Sequence, residues 1–344
     1  MKAAILVEQN KPLVIDEIST NELDYGQVLV RVEVSSICGR QIGEITGAKG
    51  EDKFLPHLLG HEGGGVVEEI GPGVTTVKAG DKVVMHWRKG NGIESNFPKY
   101  LWNNDVIGGG LVTTLGEYSV VSENRLTPVP SSIPSEIAAL FGCAVTTALG
   151  LVNNEARLKI GQSIAVIGTG GVGLNIIQAA ALVTANPIIA IDIQNERLQM
   201  AMQLGATHSI NNKNNDLVEN ISKIAGSKGV DVIVDTSGVP ELIEVAYRLT
   251  APGGRMIMVG QPHFSKSLTI KNFSNNFTGK TIKDSEGGAT NPVQDIPRYI
   301  KLFEDGKLEL EKIITNRYRL DDINLAIKDL QSGHINGKCI IEMN

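Results

Sequence analysis

Cys38, His61 and Cys143 stand far apart in the 344-residue chain, yet their donor types suit a single ion. Two thiolates and an imidazole form a tetrahedral zinc site whose fourth position is left to water or substrate, which is how catalytic zinc is held. His61 lies in Leu59-Gly-His-Glu-Gly63, where glycines let the loop bend around an ion, and Cys143 lies in Phe141-Gly-Cys-Ala-Val-Thr-Thr147. The plainer alternative is that each cysteine is a small buried apolar residue and the histidine a structural one. Spacing alone does not separate the two.

Next comes Gly168-Thr-Gly-Gly-Val-Gly173, with a strand pattern at 163–167 before it and a helix pattern running to about 182 after it. In a dinucleotide loop, Gly168 permits the tight turn, Gly170 lets the backbone approach a pyrophosphate and Gly173 lets the helix pack closely on the sheet. Gly171 and Val172 open that helix, whose unpaired N–H groups and positive dipole end would face the phosphates. Asp192 ends the next strand (187–191), where it would accept bonds from the ribose hydroxyls and repel a 2′-phosphate, favouring NAD over NADP. Arg197 tempers that preference, because a guanidinium there could also reach the ribose or a phosphate. The bland reading is a glycine loop that only turns a strand into a helix. An open metal site beside a dinucleotide loop points instead to metal-assisted hydride transfer.

The elements that must position these residues follow from periodicity. Short β-type runs at 27–34, 63–70, 81–85 and 117–121, punctuated by turns such as Gly71-Pro-Gly73, predict a mostly antiparallel β-domain. After Cys143 the texture changes. Strands at 163–167, 187–191, 230–235 and 255–259 alternate with helices, one over 196–204 closed by Gly205, as in a parallel, doubly wound sheet. From about residue 286, amphipathic helices over 292–307 and 320–332 and a strand over 338–342 predict a tail that returns to the first domain. The expected domains are thus 1–144 with 287–344, and 145–286.

Composition narrows the function classes. Charged residues make up 20% and the apolar set 42%, with a net charge of −6 from 32 basic and 38 acidic side chains. That balance argues against a chain whose task is to grip nucleic acid or an anionic membrane. No apolar run approaches the roughly 20 residues that span a bilayer, and the amino terminus reads as a strand, not a leader. Three scattered cysteines make no disulfide framework, so a reducing, cytoplasmic compartment is expected.

Taken together, Gly60-His61-Glu62, Cys38, Cys143 with Thr146-Thr147, the loop Gly168 to Gly173, and Asp192 resemble the zinc-dependent alcohol and polyol dehydrogenases of the medium-chain dehydrogenase/reductase superfamily. The likeness runs over essentially the whole chain. It implies an α/β protein, with a GroES-like β-rich catalytic domain and a Rossmann domain. One catalytic zinc per subunit would sit on Cys38, His61 and Cys143, with Glu62 as supporting or transient fourth ligand and Thr147 near the nicotinamide of NAD. The zinc would bind a substrate hydroxyl and lower its pKa. The substrate would be a small alcohol, polyol or sugar-derived molecule, and the subunits would form a homodimer or homotetramer. Two rivals stay in view: a zinc-free quinone or enal reductase of the same superfamily, which typically lacks the ligand trio, and a non-catalytic cofactor-binding protein with a vestigial site.

The chain also departs from that pattern. Many relatives hold a structural zinc on four closely spaced cysteines after the region of Val84. No cysteine lies there, so no structural zinc is expected. Residues 86–116 instead carry both tryptophans, read either as a small core for the lobe or, with Trp87, Arg88 and Trp102, as pocket lining. Arg40 replaces the hydroxyl that usually relays the alcohol proton, a task an always-charged guanidinium cannot perform. Gln41 replaces an aspartate; its carbonyl could still accept the ligand imidazole N–H, but without full charge. Gly39 stands where some relatives keep a phosphate-binding arginine, so Arg40 is expected to hold the cofactor pyrophosphate or an anionic substrate group. Cys339 is expected to be a buried strand residue, and His57, His86, His208, His263 and His334 to be structural, with His86 close to the pocket.

Overall fold

The computed structural model describes residues 1–213, 216–271, 273–276 and 278–343. It divides into two compact units, Met1–Thr146 with Asn291–Gly306 and Leu310–Asn344, and Thr147–Thr290 with Lys307–Glu309. Among the described residues, no single helix is long and apolar enough to cross a membrane.

The first unit is organised by strand Gln27–Ser36, whose alternating apolar residues Val28, Val30 and Val32 are fully or almost fully buried. It pairs antiparallel with Glu62–Ile70, Tyr118–Ser122 and Lys338–Glu342, so the carboxy-terminal strand completes the amino-terminal sheet. The core beneath is aliphatic, built from Leu6, Val67, Val83, Met85, Ile323 and Ile341 among others, as expected of a chain with only 4% aromatics. A second sheet runs from Val14–Glu17 through Lys2–Leu6 and His57–Leu58 to the hairpin Lys99–Trp102 and Asp105–Gly108.

That hairpin was not foreseen. Its two-residue turn is Asn103-Asn104, both at positive φ (50° and 69°). This is the primed-turn geometry that matches strand twist, and its sequence mark is weaker than Asn-Gly. The two tryptophans part company here. Trp102 packs beside the Ala3–Ile5–Tyr100–Ile107 cluster and donates to Asp16 Oδ2 at 2.8 Å, whereas Trp87 lies on a cavity wall.

In the second unit the glycine loop connects strand Ile164–Ile167 to helix Gly171–Leu182. Six strands, all parallel, run in the order His208–Asn211, Ile188–Asp192, Ile164–Ile167, Val230–Asp235, Thr250–Met258, Thr281–Asp284. With the loop strand counted first, this is the dinucleotide-fold order 3-2-1-4-5-6. The helix after Asp192 covers Asn195–Gln203, and Gly205 beyond it has φ +111°. Helix 292–307 ends at Glu304, and helix 320–332 opens with a 3-10 turn, Leu320–Asp322, before Ile323–Gln331.

The lobe at 86–116 is tied down by a carboxylate. Glu123, on a buried 3-10 turn, accepts backbone N–H bonds from Thr75 (2.7 Å), Thr76 (2.8 Å) and Ile93 (2.6 Å). Burial pushes its carboxyl up, but the three amide donors outweigh that and the net shift is downward. A depressed folded-state pKa means that the stability is present above the unfolded value, near 4.3, and is lost as pH falls through the folded value. Glu123→Gln should therefore cost about 1–3 kcal/mol near neutral pH. In acid melts the gap to wild type should narrow steadily below about pH 4; a gap that is constant with pH would contradict this reading.

Candidate active site

Each expected metal ligand sits where backbone geometry is special. Cys38 caps the amino end of helix Gly39–Ile45, and its own N–H donates to Gln41 Oε1 at 2.8 Å. His61 follows Gly60, which has φ +100° and no room for a Cβ against Thr114, so the turn that aims the imidazole requires glycine. Cys143 lies between helices Ser135–Phe141 and Ala144–Gly150. The sulfurs and one ring nitrogen lie within 4.8 Å of one another, and this is the one such grouping among the described residues.

The donor set fits zinc. His61 Nε2 is buried without a hydrogen-bond partner, an expensive state for a ring nitrogen unless an ion completes it. The Cys143 S–H stabilises the Cys38 thiolate, with His61 helping. That drives the Cys38 pKa well down and the Cys143 pKa well up, so the pair tends to shed one proton early and hold the other. An ion at the centre takes the place of that shared proton.

Glu62 lies behind the ligands and is completely buried. Its Oε2 accepts from Ala144 N–H at 3.3 Å, and its Oε1 forms an ion pair with Lys338, which also donates to the Ile37 carbonyl at 3.1 Å. Burial pushes the Glu62 carboxyl up, with Lys338 opposing. Burial lowers the Lys338 ammonium, but Glu62 and Cys38 overcome that and raise it. Lys338 escaped the sequence reading; its mark was a lysine opening an otherwise apolar strand, Lys-Cys-Ile-Ile. Cys339 beside it is buried, and burial pushes its thiol up to about 11.

Gln41 differs from expectation. Its carbonyl is taken by the Cys38 N–H, and its amide nitrogen faces His61 Nδ1. An amide donor there favours the tautomer in which Nδ1 accepts and the ring proton is on Nε2. Metal binding through Nε2 needs the proton on Nδ1 instead, so this amide opposes the ligand tautomer.

A cavity of about 940 Å³ opens onto His61, lined also by Arg40, Leu58, Trp87, Val112 and Arg125. Arg40 is half-exposed, its Nε 3.6 Å from Glu44. His57, read as structural, also lines this cavity, its Nε2 2.9 Å from Asp52 Oδ2 and Nδ1 2.8 Å from the Leu58 carbonyl. Burial pushes the Asp52 carboxyl up, but bonds from His57 and the Phe54 N–H prevail and lower it. His86 is not on the cavity wall. It is buried against the Arg88 carbonyl and Thr127 hydroxyl, and burial lowers its pKa to about 4. Arg88 stacks over Trp87 at 5.3 Å.

In the second unit, Gly168 takes φ +83°, and its carbonyl lies against Gly173 where a Cβ would stand. A Cβ on Gly170, by contrast, would meet nothing within 4 Å, so the space ahead of the Gly171–Val172 helix start is open, as a pyrophosphate cradle must be. Asp192 braces this loop. Its Oδ2 accepts from Thr169 N–H (2.8 Å) and Oγ1 (3.1 Å), and its Oδ1 accepts from Ile193 and Gln194 N–H. Arg197 lies 3.9 Å from the carboxylate and offsets part of its charge. Thr147 is buried on helix Ala144–Gly150.

Residues 24–131 match the family model of the alcohol dehydrogenase GroES-like domain, and residues 171–305 that of zinc-binding dehydrogenases. The chain is 30% identical to the S-(hydroxymethyl)glutathione dehydrogenase of Paracoccus denitrificans, over 96% of this chain and 97% of that one. It is also 30% identical to the class-P alcohol dehydrogenase of Arabidopsis thaliana, over 99% and 97%. The structure of benzyl alcohol dehydrogenase from Acinetobacter calcoaceticus superposes with a TM-score of 0.89 at 27% identity, over 100% of this chain and 99% of that one.

The Gln41 geometry yields a test. In Gln41→Glu one carboxylate oxygen keeps the Cys38 N–H while the other accepts Nδ1–H with full charge. Zinc affinity, read by competition with a chromophoric chelator, should rise by about tenfold or more. An unchanged or lower affinity would show that the amide does not oppose the ligand.

Proposed function

Because this chain belongs to the zinc-dependent alcohol and polyol dehydrogenases of the medium-chain superfamily, we propose that it moves hydride between NAD and a secondary alcohol, polyol or sugar-derived substrate at Cys38, His61 and Cys143. The observation that carries this is the converged trio with the bare, buried Nε2 of His61, on a residue that lines the cavity. Bound there, zinc supplies a Lewis acid that polarises a carbonyl or acidifies an alcohol hydroxyl.

The chain's own residues do the remainder. Lys338 holds Glu62 by an ion pair on the side away from the cavity, so Glu62 acts from behind the ligands. On the cofactor side, the Gly168–Gly173 loop receives the pyrophosphate and Asp192 the ribose, while Thr147 is assigned to the nicotinamide by family resemblance. Since Arg40 cannot relay a proton, the alcohol proton needs another exit. His57 suits it: a neutral ring can donate to only one of its two facing acceptors, Asp52 and the Leu58 carbonyl, so an incoming proton completes the second bond. A homodimer or homotetramer follows the same resemblance, and a reducing, cytoplasmic setting suits three cysteines without a disulfide.

Cys38→Ser and His61→Ala should abolish zinc-dependent oxidation of alcohols and polyols while calorimetric NAD affinity stays within about threefold. Full activity in chelator-stripped protein would turn the assignment toward a zinc-free reductase. Absence of turnover in zinc-loaded protein would turn it toward a non-catalytic binder. For the proton exit, His57→Gln should depress kcat by about 100-fold with little change in KM; an unaltered kcat would sink that role.

A further inference from the structure

Four cations, Arg40, Lys49, Lys53 and Arg125, line the cavity against three carboxylates, Glu44, Glu51 and Asp52. Arg125 is the extreme case, with a side chain only 10% exposed. Its guanidinium has five N–H donors, and it donates to the neutral Asn124 Oδ1 at 2.8 Å. The nearest carboxylate oxygen, Glu94 Oε1, stands 3.9 Å away, outside hydrogen-bond range. Glu94 is drawn off by Lys89, 2.8 Å from its other oxygen, and by the Asn124 amide at 3.3 Å. Elsewhere on the wall, Arg40 and Lys49 share the single carboxylate of Glu44 at 3.6 and 3.7 Å, and Asp52 is committed to His57.

Charge this deeply placed and this poorly matched is costly unless a ligand completes it. The titration behaviour agrees. Burial lowers the Arg125 pKa, and burial together with the charge of Arg40 lowers that of Lys49. A guanidinium fork matches two oxygens of a carboxylate or phosphate. The volume, at the upper end of the roughly 300–1,000 Å³ typical of small-molecule sites, leaves room for a sugar-sized body along Leu58, Trp87 and Val112.

We propose that the substrate carries an oxyanion, either a phosphate ester or a carboxylate, which docks on Arg125 in the field of Arg40 and Lys49. This rests on the dehydrogenase reading above and adds a substrate class to it.

The test uses full-length, zinc-loaded protein with NAD and matched compounds: ribitol against ribitol 5-phosphate, and glucitol against gluconate. At least one charged member should exceed its neutral partner by about 30-fold or more in kcat/KM, and the pair that does so identifies the oxyanion. Arg125→Met should collapse that ratio to below about threefold. Because each ratio is taken within one variant, a loss of folded protein cancels. Should Arg125→Met fail to fold, Lys49→Met at the half-exposed wall should lower the same ratio severalfold. Calorimetric titration with the same compounds separates the two hypotheses. No turnover with any compound fails the dehydrogenase reading. Equal binding of charged and neutral members, or binding of neither, overturns the oxyanion inference whatever the turnover.

Discussion

A buried ion pair, Lys338 with Glu62, is the constraint to which the catalytic unit is tied. It joins the carboxy-terminal strand to the strand that follows His61, and through Ala144 to the segment that bears Cys143. Two thiolates and a divalent ion sum to zero charge, and Glu62 beside them would leave the site negative and its carboxylate stranded. Lys338 neutralises that excess at the cost of burying two ions, which is seldom a net gain in stability. What it provides is position: a carboxylate whose reach is limited, behind a set of soft ligands. The return of the chain after residue 306 is therefore part of the site and not merely an extra strand.

In the same unit the lobe at 86–116 is fastened by a carboxylate. Three amide donors on Glu123 tie the Thr75–Thr76 and Ile93 backbones together, and the Asn103-Asn104 hairpin adds its own edge to the second sheet. A four-thiolate zinc site would contribute more free energy, but it would need a metal supply and closely spaced cysteines. A hydrogen-bonded acid needs neither, and it carries a pH dependence that such a metal clamp would replace with its own.

Much of this was legible in the sequence because its causes are local. The parallel, doubly wound sheet followed from βα alternation, though not its strands His208–Asn211 and Thr281–Asp284, and Gly168, Gly173 and Asp192 follow from requirements of a turn, a close approach and a strand end. The ligand trio was legible only in part. Residue type could nominate Cys38, His61 and Cys143, but their convergence depends on the turn at Gly60 and on two helix ends that no spacing encodes. Lys338, Arg125 and the Asp52–His57 pair were missed for the same reason: each gains its meaning from a partner supplied by the fold. Gln41 was read with the right neighbour and the wrong end of the amide, because the competing Cys38 N–H appears only once helix Gly39–Ile45 has formed.

The chemistry and the specificity of the site rest on different physics. The trio and the glycine loop select a reaction by geometry and donor softness, features that are indifferent to what hangs from the reacting carbon. Around them, Arg40 and the His57–Asp52 pair sit on the cavity wall. An always-charged guanidinium cannot exchange protons, but it raises the local potential. That potential favours the ionised form of any acid nearby and so favours loss of the alcohol proton. Arg40 thus lowers the cost of the charge left behind, and it does so in a cavity lined by more cations than carboxylates. Proton release and recognition of a negatively charged substrate draw on one electrostatic field, so a change to Arg40 or Lys49 alters both together.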